Sequence, residues 1–464
     1  MDTLTAGFTE IRDRHLEATD ARDLSLWGLR GLAAVDPALS TELRDGVLVL
    51  SSAGREIGQR LAGRGPADAA EALTWLLETA WNASPPLRRG GLDGLLQAVF
   101  DEIFNHLDPY SRYLSPAAAG TARDRRFGTA GVGLRLEPGP RGVSVAEVLP
   151  RGPAEALGLR VGDRLLSVDG TPVEDPAAAA ALLEGPPGTG VRLVLLRGRG
   201  RRTVTLRRVM LAPVTVHAER RDDLLLLRLS AFSSATQDQL AQALLAGFER
   251  EPAPRGIVLD LRGNRGGLVR EAVRVAGAFL ATGLIARTDG RHPDSRRAWD
   301  APGEDLAQAR PIAVLVDGRT ASAAEIVAAA LADRGRAVVV GSATMGKGLI
   351  QILIPLPNGA ELSLSWSRIL APSGWPLQAL GVIPALCTSG GAEATAQALA
   401  RLGRGDPPLL PVLERQRAAR VPVLTSEVAA LRGACPPAEG READLQAATA
   451  LLVTPEAYRA ALLR

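Results

Sequence analysis

Lys347 is the single lysine in a chain whose other 53 Lys-or-Arg positions are all arginine. Two readings account for it. A GC-rich genome depletes lysine, and one survivor has to sit somewhere. Alternatively, the position has to cycle between ammonium and free amine, which a buried lysine can do and an arginine cannot. A partner for such an amine lies upstream in DGRTASAAEIVAAALADRG (317–335), where a strand-like PIAVLV leads through a turn to Ser322. Ser322 opens an Ala-rich helix that carries Glu325. A serine at a helix start sits beside unpaired N–H groups and a dipole that favours developing negative charge, and the N–H of Ala323 is placed to help hold an oxyanion. The same placement equally suits a plain N-cap serine. A glycine-rich turn, LDLRGNRGG (259–267), follows another buried strand and lets the backbone approach a ligand closely.

Rival chemistries are weaker. GSATMGKG (341–348) fits the G-x-x-x-x-G-K of a phosphate-cradling loop and follows the strand-like AVVV. The next residue is Gly348, however, where that loop needs Ser or Thr for magnesium. LIQILIPL then reads as a strand, with no helix N-terminus to hold phosphates. The four histidines, His15, His106, His217 and His292, lack flanking motifs, and two of them sit in helical segments, so a histidine triad has no support. Cys387 and Cys435 show no CxxC or zinc-ligand spacing. They are either unrelated thiols or one disulfide tying the tail to the preceding domain.

The elements that must position these residues are laid out by composition and period. At 464 residues the chain suggests about three domains, and 46% hydrophobic with 23% charged residues is ordinary core-forming composition. Only 3% of residues are aromatic, which leaves few platforms for stacking single-stranded nucleic acid, so no nucleic-acid partner is expected. The net charge is +3, and RGRGRR (197–202) reads as a solvated hairpin. No window approaches 18 uninterrupted apolar residues, so no membrane span is expected. The stretch MDTLTAGFTEIRDRH lacks the basic-then-apolar shape of a signal peptide. Taken literally, that describes a cytosolic chain or one from which a signal has been removed.

Residues 1–125 read as helical, with a short likeness between LWGLRGLAAVDPALS (26–40) and LDGLLQAVFDEIFNHLDPYS (92–111). Residues 128–211 switch to alternating short strands, glycine turns and small helices. From 213 to 387 the pattern is strand–helix–strand, with DLLLLRLSAF, GIVLDLRG and PIAVLVDG apolar enough to be buried on both faces. Residues 388–464 are helical and punctuated by proline.

Taken in order, LDPYSRYL (107–114), GVGLRL (131–136), GDRLLSVDGTPV, GIVLDLRGNRGGLVREAV, TASAAEIVAAAL and GKGLIQ resemble the C-terminal processing (tail-specific) serine proteases, serine–lysine peptidases that carry a PDZ domain. The likeness spans about 90–387. It implies an α+β multidomain fold: a helical N-terminal region (1–125), a PDZ domain (128–211), a crotonase/ClpP-like αβ protease core (213–387) and a helical C-terminal tail (388–464). By the resemblance Ser322 is the nucleophile and Lys347, 25 residues on, its general base. Gln351 would position the lysine, and the oxyanion donors would be Ala323 and either Gly266 or Gly267. For Lys347 to serve, its pKa must fall toward neutrality, which the apolar flanks VVVGSATM and LIQILIPL can bring about by burial. Gly131, Val132, Gly133 and Leu134 would receive the terminal carboxylate of an apolar substrate tail. No metal or cofactor is expected. Protein or peptide substrates with apolar C-termini, an activating adaptor, a homodimer and a periplasmic or cell-envelope location all follow from the resemblance, and a Cys387–Cys435 disulfide would fit that compartment. Two departures stand out: Arg265 replaces the proline of the usual N-P-G-G turn, and Ala385 stands where an acidic residue is usual. The first motivates a different class of reading, an inactive PDZ scaffold that binds tails without cutting them.

Overall fold

The computed structural model describes residues 1–150 and 152–463. The chain divides into two compact units. One comprises Met1–Thr121, Val216–Phe232 and Thr236–Arg464, and the other Ala122–Thr215 with Ser233–Ala235.

The larger unit is organised by a six-stranded sheet in the order Val216–Arg221, Leu224–Leu229, Gly256–Asp260, Ile312–Val316, Val338–Gly341, Leu386–Cys387. The first pair is antiparallel and every later pair parallel. GIVLD, IAVLV and VVVG are buried at every residue, as their unbroken apolar runs require of strands covered on both faces. Helix Ala323–Asp333 is buried from Ala323 through Ala332. A helix apolar all round belongs inside a core, and its run of alanines lets neighbours approach closely. A second sheet runs Arg297–Asp300, Leu284–Asp289, Glu361–Leu370, Leu349–Pro355, with Arg112–Leu114 paired to Glu361–Leu370. The N-terminal region therefore contributes a strand to the core's own sheet.

That N-terminal region is helical, in Asp2–Arg14, Ala21–Arg30, Pro66–Ala83 and Pro85–Leu107, with one addition the sequence reading did not anticipate. Leu39–Arg44, Val47–Ser52 and Arg55–Leu61 form a three-stranded antiparallel meander. Its two-residue turns, Asp45-Gly46 and Ala53-Gly54, take positive φ at all four positions, the geometry that matches the twist of paired strands. Beyond the core, helices from Ala392 to Ala461 cover the sheet, with the Tyr458 hydroxyl bonded to the backbone of Ile312. Cys387 and Cys435 form a disulfide, which settles the pairing left open above.

The smaller unit is a sheet ordered Gly200–Arg207, Gly190–Arg197, Arg164–Val168, Gly142–Val148, Leu134–Gly139, with helices Pro153–Ala156 and Pro176–Leu183. Its core is aliphatic, centred on Val143, Leu165, Leu193 and Leu195. Leu134–Gly139 lies at the edge of the sheet, with helix Pro176–Leu183 packed beside it. No helix among the described residues is long and apolar enough to cross a membrane.

Candidate active site

Three adjacent parallel strands, Gly256–Asp260, Ile312–Val316 and Val338–Gly341, end on the same side of the large sheet. Loops after the carboxyl ends of neighbouring parallel strands are where α/β sheets collect functional groups. Here those loops carry the glycine turn, Ser322 and Lys347 respectively. Hydrogen bonds lock them to one another. Thr320 Oγ1 donates to Leu261 O at 3.0 Å, Ala321 N–H to Asn264 O at 2.9 Å, and Met345 N–H to Thr320 O at 2.9 Å.

Ser322 takes φ 58° and ψ −117°, a conformation that costs a non-glycine residue about 1–3 kcal/mol and survives only where the surroundings impose it. Glu325 imposes it. Its carboxylate is fully buried, and one oxygen accepts both the Ser322 N–H at 2.7 Å and the Lys347 N–H at 2.9 Å. The other oxygen accepts the Gly346 N–H at 2.7 Å and the Thr344 hydroxyl. Burial pushes this carboxyl's pKa up, while the four donors oppose that shift. Glu325 was visible in sequence at the Ser-x-x-Glu spacing of a helix start. Its tie to the Lys347 loop, 22 residues on, was not.

Ser322 and Lys347 are both partly exposed. Burial lowers the Lys347 pKa below that of an ordinary lysine; Arg112 lowers it further, and Asp108 and Glu325 work in the other direction. The ammonium nitrogen lies 5.1 Å from the ring centroid of Tyr110, within cation–π range. Gln351 donates its amide N–H groups to Leu349 O at 3.2 Å and Ser365 Oγ at 3.0 Å, so its side chain is held in place on the strand that follows the Lys347 loop.

The two glycines of the turn differ. Gly266 N–H donates to the Asn264 side chain at 2.8 Å, whereas Gly267 makes a parallel bridge to Phe232 that uses the flanking Gly266 O and Leu268 N–H. Ala323 N–H, at the first helical position, has no intrahelical acceptor. Asn264 is itself anchored, through Nδ2 to Leu229 O at 2.8 Å. The turn is thus fixed by an asparagine bridge, and Arg265 stands exposed on it where the resemblance leads one to expect proline. His15 is buried against Asp108, His106 stacks on Trp27, and His292 caps a short helix, none of them forming a pair with Ser322. After the Lys347 loop comes strand Leu349–Pro355, the strand that LIQILIPL predicts, so no helix N-terminus follows the loop to hold phosphates. Gly131–Leu134 belong to the smaller unit, where Val132 is buried and Gly133 takes φ +80°.

Residues 223–386 match Peptidase family S41, and residues 144–197 match the PDZ domain. The carboxyl-terminal-processing protease of Picosynechococcus sp. is 33% identical over 325 residues, which cover 67% of this chain and 76% of that protein. The chain belongs to the carboxyl-terminal processing protease family. The carboxy-terminal-processing protease of Bartonella bacilliformis is 32% identical over 297 residues, or 62% of this chain and 68% of the relative. A solved photosystem II D1 C-terminal processing protease aligns over 82% of this chain and 97% of its own, at 27% identity and a TM-score of 0.39. The fold read from the sequence, with a PDZ domain inserted before an S41 core and helical ends, holds.

For a protease of this family the packing at Gly266 carries a testable consequence. A Cβ there would lie 2.9 Å from Ser322 Cβ, 2.9 Å from Ala323 N and 3.0 Å from Ala321 O, at φ +96°. Gly266→Ala must therefore displace the Ser322 turn, and proteolysis is expected to fall about a hundredfold. Gly263→Ala meets no atom within 4 Å at φ +70° and is expected to lose only about 1 kcal/mol of stability. Steady-state rates and thermal midpoints of the two variants check this.

Proposed function

We propose that this protease cleaves peptide bonds with a Ser322–Lys347 dyad. The neutral Lys347 amine takes the proton of Ser322 as the hydroxyl oxygen attacks the scissile carbonyl carbon. The resulting oxyanion rests on the N–H groups of Ala323 and Gly267, since the Gly266 N–H is engaged by Asn264. Collapse breaks the C–N bond, Lys347 returns its proton to the leaving amine, and an acyl ester on Ser322 remains. Lys347 then deprotonates the water that hydrolyses it. Gln351, on the strand that follows the loop, positions Lys347. The observation that carries this reading is the buried Glu325 oxygen shared by the main-chain N–H groups of Ser322 and Lys347, which fixes the two loops as one unit.

The test is cleavage of an unfolded protein with an apolar C-terminus by wild type, Ser322→Ala and Lys347→Arg. Turnover by wild type alone supports the dyad. Binding without turnover by wild type favours the scaffold reading, and turnover by Ser322→Ala excludes the dyad.

The 128–211 domain supplies the specificity. Strand Leu134–Gly139 at the sheet edge can accept a substrate tail as a further strand beside helix Pro176–Leu183, with the terminal carboxylate at Gly131–Leu134. Amidating the substrate's C-terminus removes a charge-assisted hydrogen bond and is expected to lower kcat/KM about tenfold or more. An unchanged kcat/KM would remove the carboxylate from the recognition. The Cys387–Cys435 disulfide supports an oxidising compartment such as the bacterial envelope.

A further inference from the structure

The turn Leu107–Arg112 lies more than two hundred residues before Lys347, yet it reaches the same site. It follows helix Pro85–Leu107 and opens strand Arg112–Leu114, whose pairing with Glu361–Leu370 carries it onto the core. Asp108 is the hub. One carboxylate oxygen accepts the N–H groups of Tyr110 at 2.8 Å and Ser111 at 2.9 Å and the Ser365 hydroxyl at 2.8 Å. The other accepts the Ser111 hydroxyl at 2.5 Å and faces Nε2 of the fully buried His15 at 3.0 Å. Ser365 Oγ in turn accepts from Gln351 at 3.0 Å. A β-bulge beside this contact sets Gln351 directly opposite Ser365, the kind of local irregularity that re-aims a side chain near a functional site. The path His15–Asp108–Ser365–Gln351 is continuous and hydrogen-bonded throughout. Tyr110, from the same turn, lies against the Lys347 amine.

Resting on the Ser322–Lys347 reading, we propose that Asp108 is a positioning residue for the reaction: buttressed by His15, it fixes Gln351 through Ser365, while its turn forms the wall against which Lys347 is held. A carboxylate with five partners also serves folding, so the decisive evidence must be one that a scaffold role leaves unmoved. Charge supplies it. Burial opposes its ionisation, but His15, Ser111, Ser365 and Tyr110 N–H hold the Asp108 carboxyl well below the usual carboxylate range, so it is an anion wherever the enzyme works. The charged groups acting on Lys347 are Arg112, which disfavours the ammonium, and Asp108 and Glu325, which favour it.

The sign follows. Asp108→Asn removes a charge that favours the ammonium, so Lys347 loses its proton at lower pH and the acid limb of kcat/KM moves down. Arg112→Gln removes a charge that disfavours the ammonium and moves the limb up. Ser365→Ala cuts the path to Gln351 without changing charge, so kcat falls about tenfold or more with the limb in place. The measurement is the pH profile of full-length wild type and these three variants on one unfolded substrate, with thermal midpoints recorded beside it. Opposite displacements for Asp108→Asn and Arg112→Gln, with a kcat loss in Ser365→Ala, are expected. A uniform loss in Asp108→Asn with the limb unmoved would overturn the proposal, as would Ser365→Ala within twofold of wild type. Should Asp108→Asn fail to fold, the Ser365→Ala and Arg112→Gln profiles decide. Ser322→Ala is added as a fourth variant, so that failure of the dyad itself appears separately, as turnover that survives without Ser322.

Discussion

Under the proposed Ser322–Lys347 dyad, replacing Lys347 with arginine is expected to lower kcat/KM at least about a thousandfold, because a dyad that loses its base loses most of its rate advantage in one step. The charge and much of the chain length survive the change, so a purely electrostatic or packing role for Lys347 would survive it too. What arginine cannot do is give up a proton. The environment agrees with that demand: burial is the largest influence on the Lys347 pKa, and it lowers it. Neutral amine is therefore available at lower pH than for an exposed lysine, and wild-type activity is expected to rise with pH as the ammonium deprotonates. Lys347 is only half-buried, so the variant is expected to fold, with a thermal midpoint close to wild type. Rate and midpoint measured on the same preparation separate loss of a base from loss of structure.

Glu325→Gln is expected to be the most damaging change that leaves side-chain volume alone. The carboxylate takes four donors on two oxygens with no exposure to solvent. A carboxamide offers one acceptor oxygen and turns an NH2 toward N–H groups that need an acceptor. At least one donor is left unsatisfied, and each buried orphan costs about 1–3 kcal/mol. The strained Ser322 backbone loses its restraint at the same time, since its N–H is one of the four. Activity is expected to fall about a hundredfold or more even at temperatures where the variant is fully folded. A variant that loses stability in denaturant titration yet keeps its rate would show that Glu325 stabilises the core without setting the geometry of Ser322 and Lys347.

Much of this was legible locally. The strands of the large sheet announced themselves as unbroken apolar runs, and Ser322, Lys347 and the glycine turn each sit immediately after such a run. The relation among those loops was not legible, because it is made by a side chain whose partners lie 3, 19, 21 and 22 residues away along the chain. The proposed preference for Gly267 over Gly266 rests on one asparagine side chain, which no spacing reports. Asp108 and His15 were quoted only as part of a turn and a helix, since contacts over 93 and 257 residues leave no periodic trace. The N-terminal meander was a different kind of miss. Its Asp-Gly and Ala-Gly turns were present in the sequence, but the amphipathic helices on either side outweighed them.

The most direct measurement is covalent labelling of Ser322 by a serine-directed fluorophosphonate, followed by mass spectrometry across a range of pH in wild type and Lys347→Arg. A Ser322–Lys347 dyad requires a single label on Ser322, forming faster as pH rises with a midpoint below the ~10.4 of an ordinary lysine, and little or no label in Lys347→Arg. Proteolysis by a wild-type enzyme that takes no label at Ser322, or labelling of Lys347→Arg at the wild-type rate, would contradict it.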